Sequence, residues 1–418
     1  MKNSALSHLN WFLACLTTML VLLWAVNIVS EHKLKNSLTG ILDSKHYTSC
    51  EIALSLMIEQ ERSFSAALVP ATLGSVFSQE PCDLVDQFFE SKQHDIEFDR
   101  LRFRYIWGVR AIYGLALNFV NDRQLERVLT VCVLLFMAIL ACVLLKMDIR
   151  YGMATMPLIF GAALFSGLFE ITAVPLAVGY FWAWLSPFLL IVSYKYSKAT
   201  QFSLISGMVS AYLWFMDGHI VLSTALTAIV TFVCYDQAFN QSKKARFSAA
   251  ITNVCMLHLG FVSTIAVFFV LKGVYFGFDS VFENYSSAIV FRSSNISAQG
   301  EEISPMGLLI KLLFVGYQAT AVYGSVLLWK SLLISTLVFG FFGTVCFFKK
   351  RVYLSHNDIS FIIILMFVSL YCLLRLFLLP NHSFIHAYLV SRYLFIPLFC
   401  VWSFAVLCCT NNKYFKAN

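Results

Sequence analysis

The run Leu379 to Tyr388, LPNHSFIHAY, places two imidazoles four residues apart between two strongly apolar stretches. If the connection is helical, His382 and His386 share a face, with Asn381 and Tyr388 beside them as further polar groups. Imidazoles in such a place can bind a polar ligand or handle a proton near neutral pH. They can equally hydrogen-bond the turn in place. Zinc ligation would need a third ligand, for which His219, Glu170 and Asp217 are the candidates. The separations among these five match no metal-binding spacing, so no tightly held metal is expected, and a weakly bound divalent cation at a lipid phosphate stays open.

A second group lies at 100–110, where Arg100, Arg102, Arg104 and Arg110 interleave with Phe103, Tyr105 and Trp107. A guanidinium fork grips two anionic oxygens at once, which suits a phosphate. The plainer reading is a juxtamembrane helix whose arginines meet lipid phosphates and whose rings sit at headgroup depth. Acids form a third group. Glu170 stands between the apolar stretches 161–169 and 171–175, and an acid at membrane depth marks a functional site unless it is interfacial. Asp43 and Glu51 are further carboxylates, while Asp217 and His219, in WFMDGHIV, make a tight turn that can also serve simply as a cap around Gly218.

The elements that must hold these groups are membrane helices. The 418 residues are 59% hydrophobic and 13% charged, with 40 Phe, and the mean hydropathy is +0.75; a soluble domain carries about 25% charged residues. Apolar runs of about 20 residues suit helices crossing a core of roughly 30 Å, and they lack the alternation of a β-barrel strand. The pattern predicts an all-α polytopic bundle of about ten transmembrane helices. They fall near 11–30, 127–146, 152–169, 171–193, 201–216, 220–238, 248–271, 326–347, 359–379 and 389–410. The first is expected to be an uncleaved span rather than a signal peptide. This divides the chain into a first helix (1–30), an outer-face loop with juxtamembrane helices (31–126), a bundle (127–271), a second outer loop with an amphipathic helix (272–325) and a C-terminal bundle (326–418).

Short basic clusters orient the bundle. Lys146 with Arg150, Lys195 with Lys198, Lys243, Lys244 and Arg246, Lys349 to Arg351, and Lys413 with Lys416 all fall on one side of ten spans. That side should be the cytoplasm of a bacterial inner membrane, with both termini on it. Every polar region named above then faces outward. The net charge of +7 thus reflects orientation rather than nucleic-acid binding. No Gly-rich phosphate loop and no zinc-type cysteine spacing is present. Ten of the 12 cysteines lie in or beside apolar runs as small hydrophobes. Cys50 and Cys82, in the outer loop, could pair in an oxidising compartment.

Three segments, RFRYIWGVRAIYGLALNF (102–119), AALFSGLFEITAVPLAVGYF (162–181) and LLPNHSFIHAYLVSRYLF (378–395), resemble landmarks of a poorly characterised family of bacterial multi-pass proteins from cell-surface polysaccharide gene clusters. Arg104, Tyr105 and Gly108 match an Arg-Tyr-Trp-His-Gly string, with Ile106 and Trp107 in place of its Trp and His. Glu170 stands for the family's aspartate, and Asn381, His382, Ser383 and His386 match its Asn-His-Ser-x-x-His string. More distantly, the chain is similar to membrane glycosyltransferases that use a polyprenyl-phosphate sugar. The resemblance implies an inverting sugar transfer on the outer face, with a polyprenyl-linked sugar, a glycan acceptor, membrane lipids and polysaccharide-assembly proteins as partners. Glu170 or Asp43 would be the base, with Arg102, Arg104 and Arg110 on phosphate. Tyr105, Asp217, His219, Asn381, His382, His386 and Tyr388 would bind substrate. A lipid-linked saccharide transporter or polymerase, and a noncatalytic assembly partner, are the alternatives.

Overall fold

The computed structural model describes residues 2–25, 83, 112, 115–116, 119–165, 174–196, 198–213, 218–239, 245–297, 300, 302–312, 326–349, 354–385 and 395–410. Among the described residues twelve α-helices follow one another: α1 (Lys2–Ala25), α2 (Asp122–Met147), α3 (Ile149–Phe165), α4 (Val174–Lys195), α5 (Ala199–Tyr212), α6 (Gly218–Phe239), α7 (Ala245–Phe276), α8 (Phe278–Ser293), α9 (Val326–Lys349), α10 (His356–Leu378), α11 (Pro380–Ile385) and α12 (Phe395–Thr410). Among the described residues no strand is present beyond one isolated bridge, Ile296 to Glu302.

The all-α class is as expected, but the count of about ten spanning helices is not. Among the described residues three helices are long and apolar enough to cross a membrane: Arg127–Met147, Arg246–Phe276 and His356–Leu378. Five further apolar stretches are shorter, Ser7–Leu22, Phe181–Tyr194, His219–Tyr235, Ile334–Val345 and Phe395–Thr410. For three of the expected spans the physical reason is length. At a rise of about 1.5 Å per residue, the 17 residues of α3, the 14 of α5 and the 16 of α12 fall short of a core of roughly 30 Å. The three long helices, with Leu259, Val262, Met366 and Leu370 exposed on two of them, give the chain the general character of a membrane protein.

The centre of the bundle is α6. From His219 to Cys234 every residue is buried, as expected of a helix apolar on most sides and surrounded by others. It packs on α4, α7 and α10, while α5 packs most extensively on α7 and α12 on α3. The α5–α7 contact is backbone on backbone. A Cβ on Gly207 would overlap the Leu257 carbonyl oxygen, and a Cβ on Gly260 would overlap that of Leu204. Small residues at a helix seam give this approach, and dispersion across the shared surface holds it.

One end of the bundle is tied by charge. Asp358, wholly buried, receives three hydrogen bonds and one ion pair. Its Oδ1 accepts from the Tyr151 hydroxyl at 2.9 Å and pairs with Arg150 Nη2 at 2.9 Å. Its Oδ2 accepts from Ser355 N at 2.8 Å and Ser355 Oγ at 2.7 Å. The last two, with Ser355 Oγ accepting from Asp358 N, form the capping box that starts α10. Beside it, Arg246 reaches Asp148 at 3.4 Å and lies over the rings of Tyr151 at 5.4 Å and Phe232 at 5.6 Å. The start of α3, the end of α6 and the starts of α7 and α10 therefore meet. The start of α1 comes to the same end, with Trp11 under Lys198 Nζ at 5.6 Å and Ser7 accepting from Gln201 at 2.9 Å. We call this the basic end and the opposite one the far end.

Two substitutions test these contacts. Gly207→Val should destabilise the protein by about 3 kcal/mol or more, seen as a lower melting temperature in detergent, while Gly307→Val, whose added Cβ would meet only the Ser304 hydroxyl at 3.0 Å, should have little effect. Asp358→Ala leaves Arg150 and Tyr151 without their carboxylate and should cost about 3 kcal/mol by the same measurement.

Candidate functional site

At the far end the Asn381 turn is pinned from both sides. Pro380 opens α11, where its missing N–H is no loss. Asn381, 1% exposed, donates from Nδ2 to the Phe291 carbonyl at 2.8 Å, tying α11 to the last turn of α8. Ser383 donates to the Leu376 carbonyl of α10 at 3.1 Å. Phe384 lies under the Lys311 ammonium, 3.2 Å from its ring centroid, which fastens helical residues 305–312 to the same turn. Tyr285 of α8 meets Phe269 of α7 edge-on at 5.1 Å, and burial raises its phenol above the ordinary range, so it stays protonated. Among the described residues Asn381 Oδ1 is buried without a hydrogen-bond partner. Flipping the amide would set two acceptors against each other at Phe291, so the orphan is the oxygen.

His219 serves α5. Its Nε2 lies 2.9 Å from the Ser210 carbonyl, so this nitrogen carries the proton, and the ring satisfies a carbonyl in the last turn of α5 that the helix leaves open. Gly179 of α4 admits the ring, since a Cβ there would stand 2.9 Å from Nδ1. Next to this corner is a cavity of about 420 Å³, lined by Cys15, Thr18, Met19 and Leu22 of α1, Ile112 and Ala116, Leu125 and Leu129 of α2, Val178, Phe181, Trp182 and Leu185 of α4, and Val209, Tyr212 and Leu213. The lining is almost wholly apolar. With α1 starting at the basic end and α5 finishing at the far end, the cavity lies in the far half of the bundle.

Of the residues that the sequence singles out, Asn381 and His219 have described side chains, and His382 lies in α11 without a described side chain. Asp43, Arg102, Arg104, Tyr105, Arg110, Glu170, Asp217, His386 and Tyr388, with Cys50 and Cys82, lie outside the described residues. Both described side chains belong to the far end, Asn381 against α8 and His219 between α4 and α5. Among the described residues no group of three or more His, Cys, Asp or Glu could hold a metal ion. No protein-family model matches the chain, and no curated protein or solved structure matches it.

Three polar constellations escaped the sequence reading. Asn253 donates to the Tyr194 hydroxyl at 2.6 Å and to Thr231 at 3.1 Å, bridging α7, α4 and α6. His258 donates from Nδ1 to the Val254 carbonyl at 2.9 Å, which leaves Nε2 to accept from the Tyr371 hydroxyl at 3.0 Å. Asp358 with Arg150 is the third. Their partners are far apart in sequence, and the one local signal is the four-residue spacing of His219, Ser223, Thr227 and Thr231 along α6.

Asn381→Leu should detach α8 from the turn. Hydrogen exchange of the amides at 289–293 should rise about tenfold, matching the loss of roughly 1.4 kcal/mol expected for one buried hydrogen bond and its desolvated carbonyl; unchanged exchange would show that the pin is not needed.

Proposed function

We propose that this chain is a membrane glycosyltransferase that moves a sugar from a polyprenyl-phosphate donor to a cell-envelope glycan or lipid-linked acceptor at the far end of the bundle. One observation carries the reading. The cavity of about 420 Å³, lined in part by Leu125 and Leu129 of α2, lies in the half of the bundle that ends at the His219 and Asn381 turns. An almost wholly apolar chamber of that size takes a hydrocarbon chain, and a lipid-linked sugar presents such a chain directly behind an anionic, hydroxyl-rich head.

Under this reading the isoprenoid occupies the cavity while its head reaches the polar turns. The Asn381 Oδ1 acceptor suits a sugar hydroxyl. Glu170, or Asp43, removes the proton of the acceptor hydroxyl as the bond to the anomeric carbon forms. Arg102, Arg104 and Arg110 hold the departing phosphate, with His382 and His386 orienting donor or acceptor. One displacement with one base inverts the anomeric centre. The basic end faces the cytoplasm of a bacterial inner membrane, with both termini on that side, in keeping with the start of α1 beside Lys198. The three sequence landmarks of the polysaccharide-cluster proteins support the same assignment by analogy.

Reconstituted protein, a labelled polyprenyl-phosphate sugar and a candidate glycan acceptor test it. Wild type should form a new glycosidic bond, and Glu170→Gln should lower turnover by about 100-fold. Leu213→Trp, which fills the cavity, should raise KM for long-chain donors about tenfold and leave short-chain donors little changed. Movement of intact lipid-linked sugar across the bilayer without bond formation would replace the enzyme with a transporter, and neither activity would leave a noncatalytic assembly partner.

A further inference from the structure

Four helices enclose the middle of the bundle as a square. α4 packs on α5 and α6, α7 packs on α5 and α6, and the diagonal pair α5 and α6 touch little for helices that adjoin in sequence. The inner faces can be identified from contacts at their ends. On α6, His219, Ser223, Thr227 and Thr231 repeat every fourth residue, and this stripe meets α4 at both ends: His219 against Gly179, and Tyr235, one step beyond Thr231, with its ring 6.5 Å from that of Tyr194. On α5, Ser203, Ser206 and Ser210 fall within about 60° of one another at 100° per residue. That face turns toward α4 and α6, because Trp182 donates to the Ser206 carbonyl at 3.3 Å and His219 bonds the Ser210 carbonyl. Ser186 of α4 lies two turns from Gly179 on the same side.

A square of membrane helices would ordinarily fill its interior with Leu, Ile and Phe. This one is lined by hydroxyls, and among the described residues the Oγ atoms of Ser186, Ser203, Ser206, Ser210 and Ser223 are buried with no hydrogen-bond partner. Other hydroxyls of the same bundle satisfy themselves on their own helix, as Thr224 does on the Ile220 carbonyl and Thr264 on that of Gly260. Five desolvated, unpaired hydroxyls would together offset much of the net stability of a domain. Buried polar groups that find no protein partner are satisfied by internal water where the site has room for it.

We propose that the interior of the α4–α7 square binds a file of ordered water running from the Asn253 bridge to His219. The register fits. Thr231 and His219 are separated by about 18 Å of helix, and the polar positions recur about every 6 Å, a step that one water bridges with two hydrogen bonds of roughly 2.8 Å. The Asn253 bridge to Tyr194 and Thr231 closes the file toward the basic end, and His219 closes it at the far end. Such a file is also a hydrogen-bonded route along which His219 exchanges its ring proton.

Water-edited solid-state NMR of the full chain in bilayers, with labelled Ser, Thr, His and Ile, reads the file directly. Magnetisation from water should reach Ser223, Thr227 and His219 at least about fivefold faster than Ile229, a buried apolar residue of the same helix. Build-up at Ser223 and His219 as slow as at Ile229 would overturn the proposal. Ser223→Ala combined with Thr227→Val should interrupt the file, so that build-up at His219 falls to the Ile229 level while that at Asn253 is kept. Unchanged build-up at His219 in that variant would also overturn it. If the double variant does not fold, Ser223→Ala alone, which removes one oxygen and adds no bulk, carries the same two outcomes. Neither measurement involves a sugar donor, so failure here and failure of the transferase reading are separable.

Discussion

A carboxylate withdrawn from water costs several kcal/mol unless its oxygens are satisfied, and the arrangement of this bundle at the basic end follows from how Asp358 meets that demand. Arg150 and Tyr151 come from the start of α3, Ser355 is the residue that caps α10, and three hydrogen bonds and an ion pair converge on one side chain. The Tyr151 ring then packs edge-on against Phe232 at 5.3 Å, and Arg246 lies over both rings. Helices far apart in sequence are thereby fixed in axial register at a single level. The height of every far-end turn above that level is then set by helix length alone, which is how His219 and Asn381 come to the same half of the molecule.

Much of this was legible in the sequence, and the rest was not for identifiable reasons. Apolar runs separated by basic residues announced a helical membrane protein, and the gathering of Arg150, Arg246 and Lys198 at one end agrees with the clustering of positive charge. Three of the expected spans fail on length, as the 14 residues of α5 show: too few to cross the membrane core. The pairing of Tyr151 with Asp358 joins residues 207 apart, and no local pattern encodes such a partner. Asp358 itself reads as an ordinary N-terminal capping acid, which it also is.

The candidate residues divide by what holds them. His219 was read as a turn residue beside a tight loop. Its ring is in fact directed back along the chain to Ser210, so a group singled out for chemistry carries part of the local fold. Asn381 does both kinds of work: its nitrogen secures α8, and its oxygen finds no partner among the described residues. An amide fixed through one atom presents the other in a defined direction, which is what selective recognition of a hydroxyl requires. The sequence could mark Asn381 as polar in an apolar setting, but only the position of the Phe291 carbonyl assigns the two ends of its side chain.

The paired glycines of α5 and α7 bear on motion. With no side chain between Gly207 and the Leu257 carbonyl, or between Gly260 and that of Leu204, neither helix can slide past the other without driving backbone into backbone. They translate as one rigid strut. At its lower end that strut holds α1 through Lys198 and Trp11, midway it meets α10 through His258 and Tyr371, and at the top it runs through Gly277 into α8. Gly277 has φ of 86°, a backbone that glycine adopts without strain, so the chain bends there between strut and α8. Displacement of α1 by a guest in the neighbouring cavity would be carried along the strut and released there, against the turn that holds Asn381.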